Sequence, residues 1–390
     1  MQELERFRHE ARQFAEANCP PSLRTPMVYP EDRAYAGRRS GMNPDQKAWL
    51  AAMVSRGWTV PEWPAEYGGA GLGKAEAAVL REELARIGAR PPLEDYGITM
   101  LSPALMKYGT EAQRLEHLPK IARGEIRWCQ GYSEPGAGSD LAGLMTRAED
   151  KGDHFLVNGR KIWTSHAHMA DWIFCLVRTD PTAPKHLGIS VLLFDMSSAG
   201  VAARPLTLIS GHRQFCEVTL DDVVVPKENL LGPLNGGWEI AKYILVFERQ
   251  MYGAHASRNV DNQSASDLAR AKIGLTDGRL ADAGLRTDII RHEIKKIAFE
   301  AARARIKADP SAGASRAPFL KLYGTEINKE RQDLLMSIRG LSGLGWEGEE
   351  FDGGNEARTW LRSRGNSIEG GTSEIQLNLI AQRVLNLPKA

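Results

Sequence analysis

Cysteine is scarce in this 390-residue chain: Cys19, Cys129, Cys175 and Cys216 stand far apart with no C-x-x-C spacing. That excludes a disulfide framework or a zinc knuckle and fits a reducing compartment. No apolar run approaches the ~18 residues of a membrane span. The opening Met1-Gln2-Glu3-Leu4-Glu5-Arg6 lacks the apolar core of a leader, so the expected compartment is the cytoplasm, without a membrane partner. Charge of one sign is also missing. Fifty Lys and Arg balance 49 Asp and Glu, for a net +1, and leave no global field to gather nucleic acid. Internal repeats and low-complexity tracts are absent, which removes solenoids and linker-like segments.

What remains is 42% hydrophobic and 25% charged, an ordinary globular balance with ample core for two or three domains. Residues 1–125 read as helices, with apolar positions at helical period such as Leu50, Met53 and Val54, or Leu80, Leu84 and Ile87. Residues 126–235 change to short β-branched and aromatic runs, among them Trp172 to Val177 and Ile189 to Phe194, which suit antiparallel strands. Within them, Asn158-Gly159 between two apolar runs predicts a type I′ hairpin. Residues 236–390 return to helical period: Ile240, Ile244, Phe247 and Met251 form one stripe, and Ala241, Leu245, Glu248 and Tyr252 its neighbour. Further helices are expected near 284–307, 317–338 and 373–385. Helices, then strands, then helices make an α+β protein.

The segment richest in chemistry is Ser133-Glu134-Pro135-Gly136-Ala137-Gly138-Ser139-Asp140, whose small residues let backbone N–H groups approach a ligand. Taken alone it is equally an inter-domain turn. It resembles the first half of the flavin signature of the acyl-CoA dehydrogenase family, and Gly159-Arg160-Lys161-Ile162-Trp163-Thr164-Ser165 resembles the second half. The resemblance extends to Trp58 through Gly69, Tyr108 through Gln113, Phe215 through Gly232, and Gly370-Gly371-Thr372-Ser373-Glu374-Ile375-Gln376. It therefore spans most of the chain, in order.

The resemblance implies an N-terminal helical domain, a middle antiparallel β-domain and a C-terminal four-helix bundle, assembled as a tetramer around non-covalent FAD. The implied reaction is α,β-desaturation of an acyl-CoA thioester, with electrons passed to an electron-transferring flavoprotein. Carried over residue by residue, Gln130, Tyr132, Ser133 and Gly138 border the flavin, and Ser139 faces both flavin and CoA. Trp163 packs on the ring and Ser165 bonds near N5. Thr372 and Glu374 approach the pyrophosphate or ribose, where Glu374 departs from the Gln often found and sets an anion beside an anion. Arg339, before Ser342-Gly343-Leu344-Gly345, replaces a family Gln; it either pairs with pyrophosphate from a neighbouring subunit, with Gly343 in the same loop, or forms an ordinary ion pair.

The catalytic base requires a choice. Many family members place it directly before the Gly-Thr of the last loop, but Gly370 stands there and Glu369 is one residue early. A second family arrangement, similar to isovaleryl-CoA and long-chain enzymes, puts a Glu before an Arg on the first C-terminal helix, which is Glu248-Arg249 here. An amphipathic-helix Glu is ordinarily a solvated one, yet the stripe around Glu248 is apolar, and apolar surroundings strengthen a carboxylate as a base. Phe247, Arg249, Gly370 and Gly371 are the accompanying substrate residues, with a loop N–H stabilising the enolate oxygen.

The Arg-x-x-Phe-Gly segment that many homotetramers use to reach a neighbour's FAD is missing from Asp267 through Asp277. That pattern resembles subunits of α2β2 enzymes acting on bulky thioesters, so a homotetramer and an α2β2 heterotetramer stay open, as do an acyl-CoA oxidase and a flavin monooxygenase of the same fold. His166-x-His168 lacks a third ligand at a recognisable spacing, and no metal is expected.

Overall fold

Helix-favouring runs bounded by caps build the first part of the chain, as described by a computed structural model covering residues 2–27, 32–255, 264–308 and 310–388. α1 (Gln2–Asn18), α2 (Pro44–Ser55), α3 (Lys74–Arg86), α4 (Ser102–Tyr108) and α5 (Glu111–Ala122) follow in order. Asn43 and Thr110 start α2 and α5 with reciprocal capping boxes, their side chains accepting from the Gln46 and Gln113 amides. A π-helical turn, Gly97–Leu101, leads into α4. Trp49, Met53, Trp58 and Leu80 form the buried centre of this helical layer.

The strands are β1 (Trp128–Gly131), β2 (Arg147–Asp150), β3 (His154–Ser165), β4 (Trp172–Arg178), β5 (Ile189–Asp195), β6 (Val201–Pro205), β7 (Phe215–Pro226) and β8 (Leu230–Leu231). They form one sheet in the order β6-β7-β3-β2-β4-β5-β8, with β1 on β4. The sheet is antiparallel except at β4, which β1 and the first residue of β2 join in parallel. Phe155, Val157, Ile173, Leu192, Phe194, Val218 and Val223 fill its core together with Cys129, Cys175 and Cys216. All four cysteines are free and buried.

The expected hairpin at Asn158-Gly159 is not formed: both residues lie inside the continuous strand β3. Asn158 pairs with Arg147 on β2, and the register against β7 slips between Val157 and Gly159, a β-bulge. A Cβ on Gly159 would sit 2.6 Å from Thr146 Oγ1, so this glycine permits close packing rather than a turn. Asn158 is explained by its side chain, which donates to Asp222 Oδ1 at 2.8 Å and accepts from the Asp222 amide at 2.9 Å.

The last part contains α6 (Gly237–His255), α7 (Ala265–Ile273), β9 (Leu275–Thr276), β10 (Arg279–Leu280), α8 (Ala283–Ala308), α9 (Pro310–Arg339), α10 (Asn355–Ser363) and α11 (Ser373–Arg383). α9 is the central helix, packed against α7, α8, α10 and α11. The chain divides into two compact units, Met1–Pro205 with Gln214–Ile244 and Leu206–Arg213 with Leu245–Ala390. No helix among the described residues is long and apolar enough to cross a membrane.

Candidate functional site

In the first unit, the Ser133–Asp140 loop is shaped by a buried ion pair. Glu134 and Ala137 exchange backbone hydrogen bonds of 3.1 and 3.0 Å and so close a tight turn over Pro135-Gly136. Glu134 then turns inward. Its carboxylate accepts from the Met145 and Thr146 amides at 2.7 and 2.8 Å and from Lys161 Nζ at 2.8 Å. Lys161 is fully buried and also donates to the Tyr132 carbonyl at 3.2 Å. Burial alone would raise the Glu134 carboxyl, but the Lys161 ammonium and the hydrogen bonds outweigh it and hold the group below the usual carboxylate range. Neither residue was singled out in the sequence, although each motif half carries one of the two charges, and a wholly buried lysine needs a partner. A cavity of about 300 Å3 opens beside the clamp, lined by Glu134, Met145, Thr146, Gly159 and Arg160 among others.

The same clamp brings the two motif halves together. The Ile162 amide donates to the Ser133 carbonyl at 2.8 Å. Just beyond, the register against β7 slips a second time between Lys161 and Thr164. Trp163 in that bulge has φ 62°, a left-handed backbone that a bulky side chain rarely adopts. Its indole is 54% exposed, edge-on to Phe215 at 6.1 Å. The fold thus holds a large aromatic ring outward at the cost of backbone strain. Beside it, Thr164 Oγ1 is buried with no hydrogen-bond partner among the described residues. Ser165 ends the strand, paired with Phe215.

Gln130 lies on β1 opposite Phe174, and Tyr132 is buried with its ring edge-on to Phe174 at 5.9 Å. A Cβ built on Gly136 or Gly138 would meet nothing within 4 Å, and Ser139 is exposed, so the outer rim of the loop borders open space. An outward indole, an unused hydroxyl and a small-residue rim fit a flat, polar-edged ring system such as a flavin.

In the second unit, Gly370 and Gly371 take positive φ of 64° and 93° and deliver the chain to Thr372, whose hydroxyl accepts from the Ile375 amide at 3.2 Å and caps α11. Glu374 is exposed in the first turn, its carboxyl held low by its own amide and by Thr372. The buried residue of this motif is Gln376, which sequence reasoning passed over. Its Nε2 donates to the Gly370 and Gly371 carbonyls at 3.0 and 3.3 Å and fixes the loop.

Glu369 is engaged by Arg362 at 2.6 Å and Asn366 at 2.5 Å, a structural role compatible with leaving it out as base. Arg339 forms an ion pair with Glu356. Gly343 is buried close to Arg339 and Met336. Phe247 and Glu248 are half-buried on α6, and the side chains of Arg249, Met251 and Tyr252 lie outside the described residues.

Comparison with known proteins bears on the whole chain. The N-terminal, middle and C-terminal domains of acyl-CoA dehydrogenase match residues 1–125, 129–223 and 235–385. Acyl-CoA dehydrogenase IpdE1 of Mycobacterium tuberculosis is 33% identical over 397 residues, covering 100% of this chain and 99% of the relative. Among solved structures, the Tcur3481-Tcur3483 steroid ACAD superimposes with a TM-score of 0.78 at 31% identity, over 100% of this chain and 99% of that one. The ChsE4-ChsE5 complex from Mycobacterium tuberculosis does so with a TM-score of 0.75 at 27% identity, over 100% and 98%. Three domain matches in order, with full-length relatives in both sequence and structure, place this chain in the acyl-CoA dehydrogenase family of flavoprotein oxidoreductases.

Proposed function

We propose that this chain catalyses the FAD-dependent α,β-dehydrogenation of an acyl-CoA thioester to the trans-2-enoyl-CoA. The observation that carries the reading is the outward Trp163, held by a left-handed backbone beside the clamped Ser133 loop. Ser133, Trp163, Ser165 and the Gly136 to Ser139 rim hold the isoalloxazine, and Thr372 with the start of α11 attends the phosphate end. FAD, when bound, supplies the hydride acceptor at N5. Glu248 receives the α-proton of the thioester on a carboxylate oxygen, and the Gly370 amide donates to the developing enolate oxygen. Phe247 and Gly371 border the acyl group, and Arg249 orients Glu248 or meets the anionic CoA. Electrons leave to an electron-transferring flavoprotein.

The substrate class is a bulky, ring-bearing thioester and the assembly an α2β2 heterotetramer, with a homotetramer as the second reading. The similarity to a steroid ACAD and to a two-component complex supports the first, together with the missing Arg-x-x-Phe-Gly segment. The test is anaerobic mixing of the yellow protein with short, branched, long and steroid-like acyl-CoA thioesters, following loss of flavin absorbance. Wild type bleaches with one class, and Glu248→Gln slows bleaching by at least about 10²-fold. Equal bleaching by both proteins removes Glu248 as base.

A further inference from the structure

Arg127 stands immediately before β1 and is only 5% exposed. Its guanidinium has Asp95 as its foremost charge partner but no hydrogen bond to a described side chain, although its own amide donates to Asp171 Oδ2 at 2.9 Å. The two nearby carboxylates are committed elsewhere. Asp95 accepts the Gly97 and Trp128 amides at 2.8 and 3.2 Å. Asp171 holds the Arg127 and Arg38 amides and the Arg38 guanidinium, the last at 3.3 Å. Burial raises the Asp95 carboxyl to about 7, so at neutral pH it is a poor counter-ion as well.

What Arg127 does touch is aromatic: its guanidinium lies 4.2 Å from the centre of the Tyr35 ring, and that ring is 5.3 Å from His166. His166 is kept neutral, its pKa lowered to about 3 by burial, Arg127, His168 and Arg33. Arg33 is itself spent on Glu94 at 2.6 Å. No Arg127 nitrogen is among the buried atoms left without a partner, so the fork of donors reaches solvent from an otherwise buried residue, and a ligand that brings acceptor oxygens can engage it.

The place is informative. Arg127 immediately precedes the strand that carries Gln130 and leads into Tyr132 and Ser133, while His166 directly follows Ser165 at the end of β3. Tyr35, Tyr96 and His166 around it are half-buried, and Tyr96 lies within electrostatic range. Resting on the dehydrogenase reading above, we propose that Arg127 is a specificity-determining residue that receives an oxygen-bearing far end of the acyl group, a carboxylate or a carbonyl, with Tyr35 stacked over its guanidinium.

Three six-carbon thioesters test this: adipoyl-CoA, 5-oxohexanoyl-CoA and hexanoyl-CoA. In the wild-type holoenzyme one or both oxygenated substrates exceed hexanoyl-CoA in kcat/KM by roughly 10- to 100-fold, mostly through KM, and Arg127→Gln brings the ratio to about one. The arm that gains tells carboxylate from carbonyl. A ratio near one in wild type, or one that survives in Arg127→Gln, overturns the proposal, as does an equal loss on all three substrates. If Arg127→Gln does not fold, Arg127→Lys keeps the charge without the fork and lowers the same ratio. If none of the three bleaches the wild-type flavin, calorimetric titration with adipate decides on Arg127 separately, and the dehydrogenase reading fails only if the short, branched, long and steroid-like panel fails as well. Binding to wild type and not to the variant supports the Arg127 site; equal or absent binding overturns it.

Discussion

Lys161 shows how much one side chain can decide. A buried ammonium is tolerated because Glu134 and the Tyr132 carbonyl surround it, so removing one partner strands the other charge. Lys161→Met should lower stability by about 3–5 kcal/mol in urea denaturation and empty the protein of flavin, while adding Glu134→Gln should recover part of the loss in a double-mutant cycle. His117 gives a second residue-level test, in pH. It is packed edge-on to Trp128 and Trp172 at 5.2 and 4.9 Å, and burial lowers its pKa to about 4. The unfolded chain takes a proton near 6.5 that the folded chain refuses, so this contribution is full above pH 6.5 and is lost as pH falls toward 4. Wild type should lose roughly 2–3 kcal/mol more than His117→Gln between those limits, read from paired urea titrations.

Among elements, β3 and the β9–β10 ribbon correct each other. Asn158-Gly159 has the composition of a hairpin turn but runs straight through a bulge, whereas Thr276-Asp277-Gly278-Arg279, where no hairpin was expected, is one. Asp277 and Gly278 take φ of 50° and 73°, and Leu275 pairs with Leu280. The dipeptide signal was present in both places. What distinguished them was tertiary, namely Thr146 packed on Gly159 and Asp222 bonded to Asn158. Gly278→Ala, with open space around it, should cost only about 1 kcal/mol for its backbone angle. Gly159→Ala meets both backbone and side chain of Thr146 and should cost about 2–4 kcal/mol, both read as shifts in the thermal midpoint. The long helices were legible because α8 and α9 repeat apolar residues at helical period. The Lys161 clamp and the role of Gln376 were not, because each is a pairing that only the folded chain creates.

At the scale of the whole molecule, the three-part order of helices, sheet and helices could be read from periodicity alone. The return of Leu206–Arg213 to the second unit could not, since nothing in those eight residues announces it. Exposed Ile290, Ile294 and Ile297, at 52%, 62% and 67%, form one apolar face of α8 and suit the proposed assembly of subunits. Ile294→Glu should therefore reduce the mass measured by light scattering while leaving the far-UV spectrum intact; an unchanged mass would move the subunit interface off α8. The Glu134–Lys161 pair has a consequence for the life of the protein between turnovers. Because the chain's own charges shape the Ser133 loop, its ordering is completed during folding and not when the flavin arrives. The empty protein is then a preorganised receptor, so cofactor stripped under mild conditions should be regained without refolding.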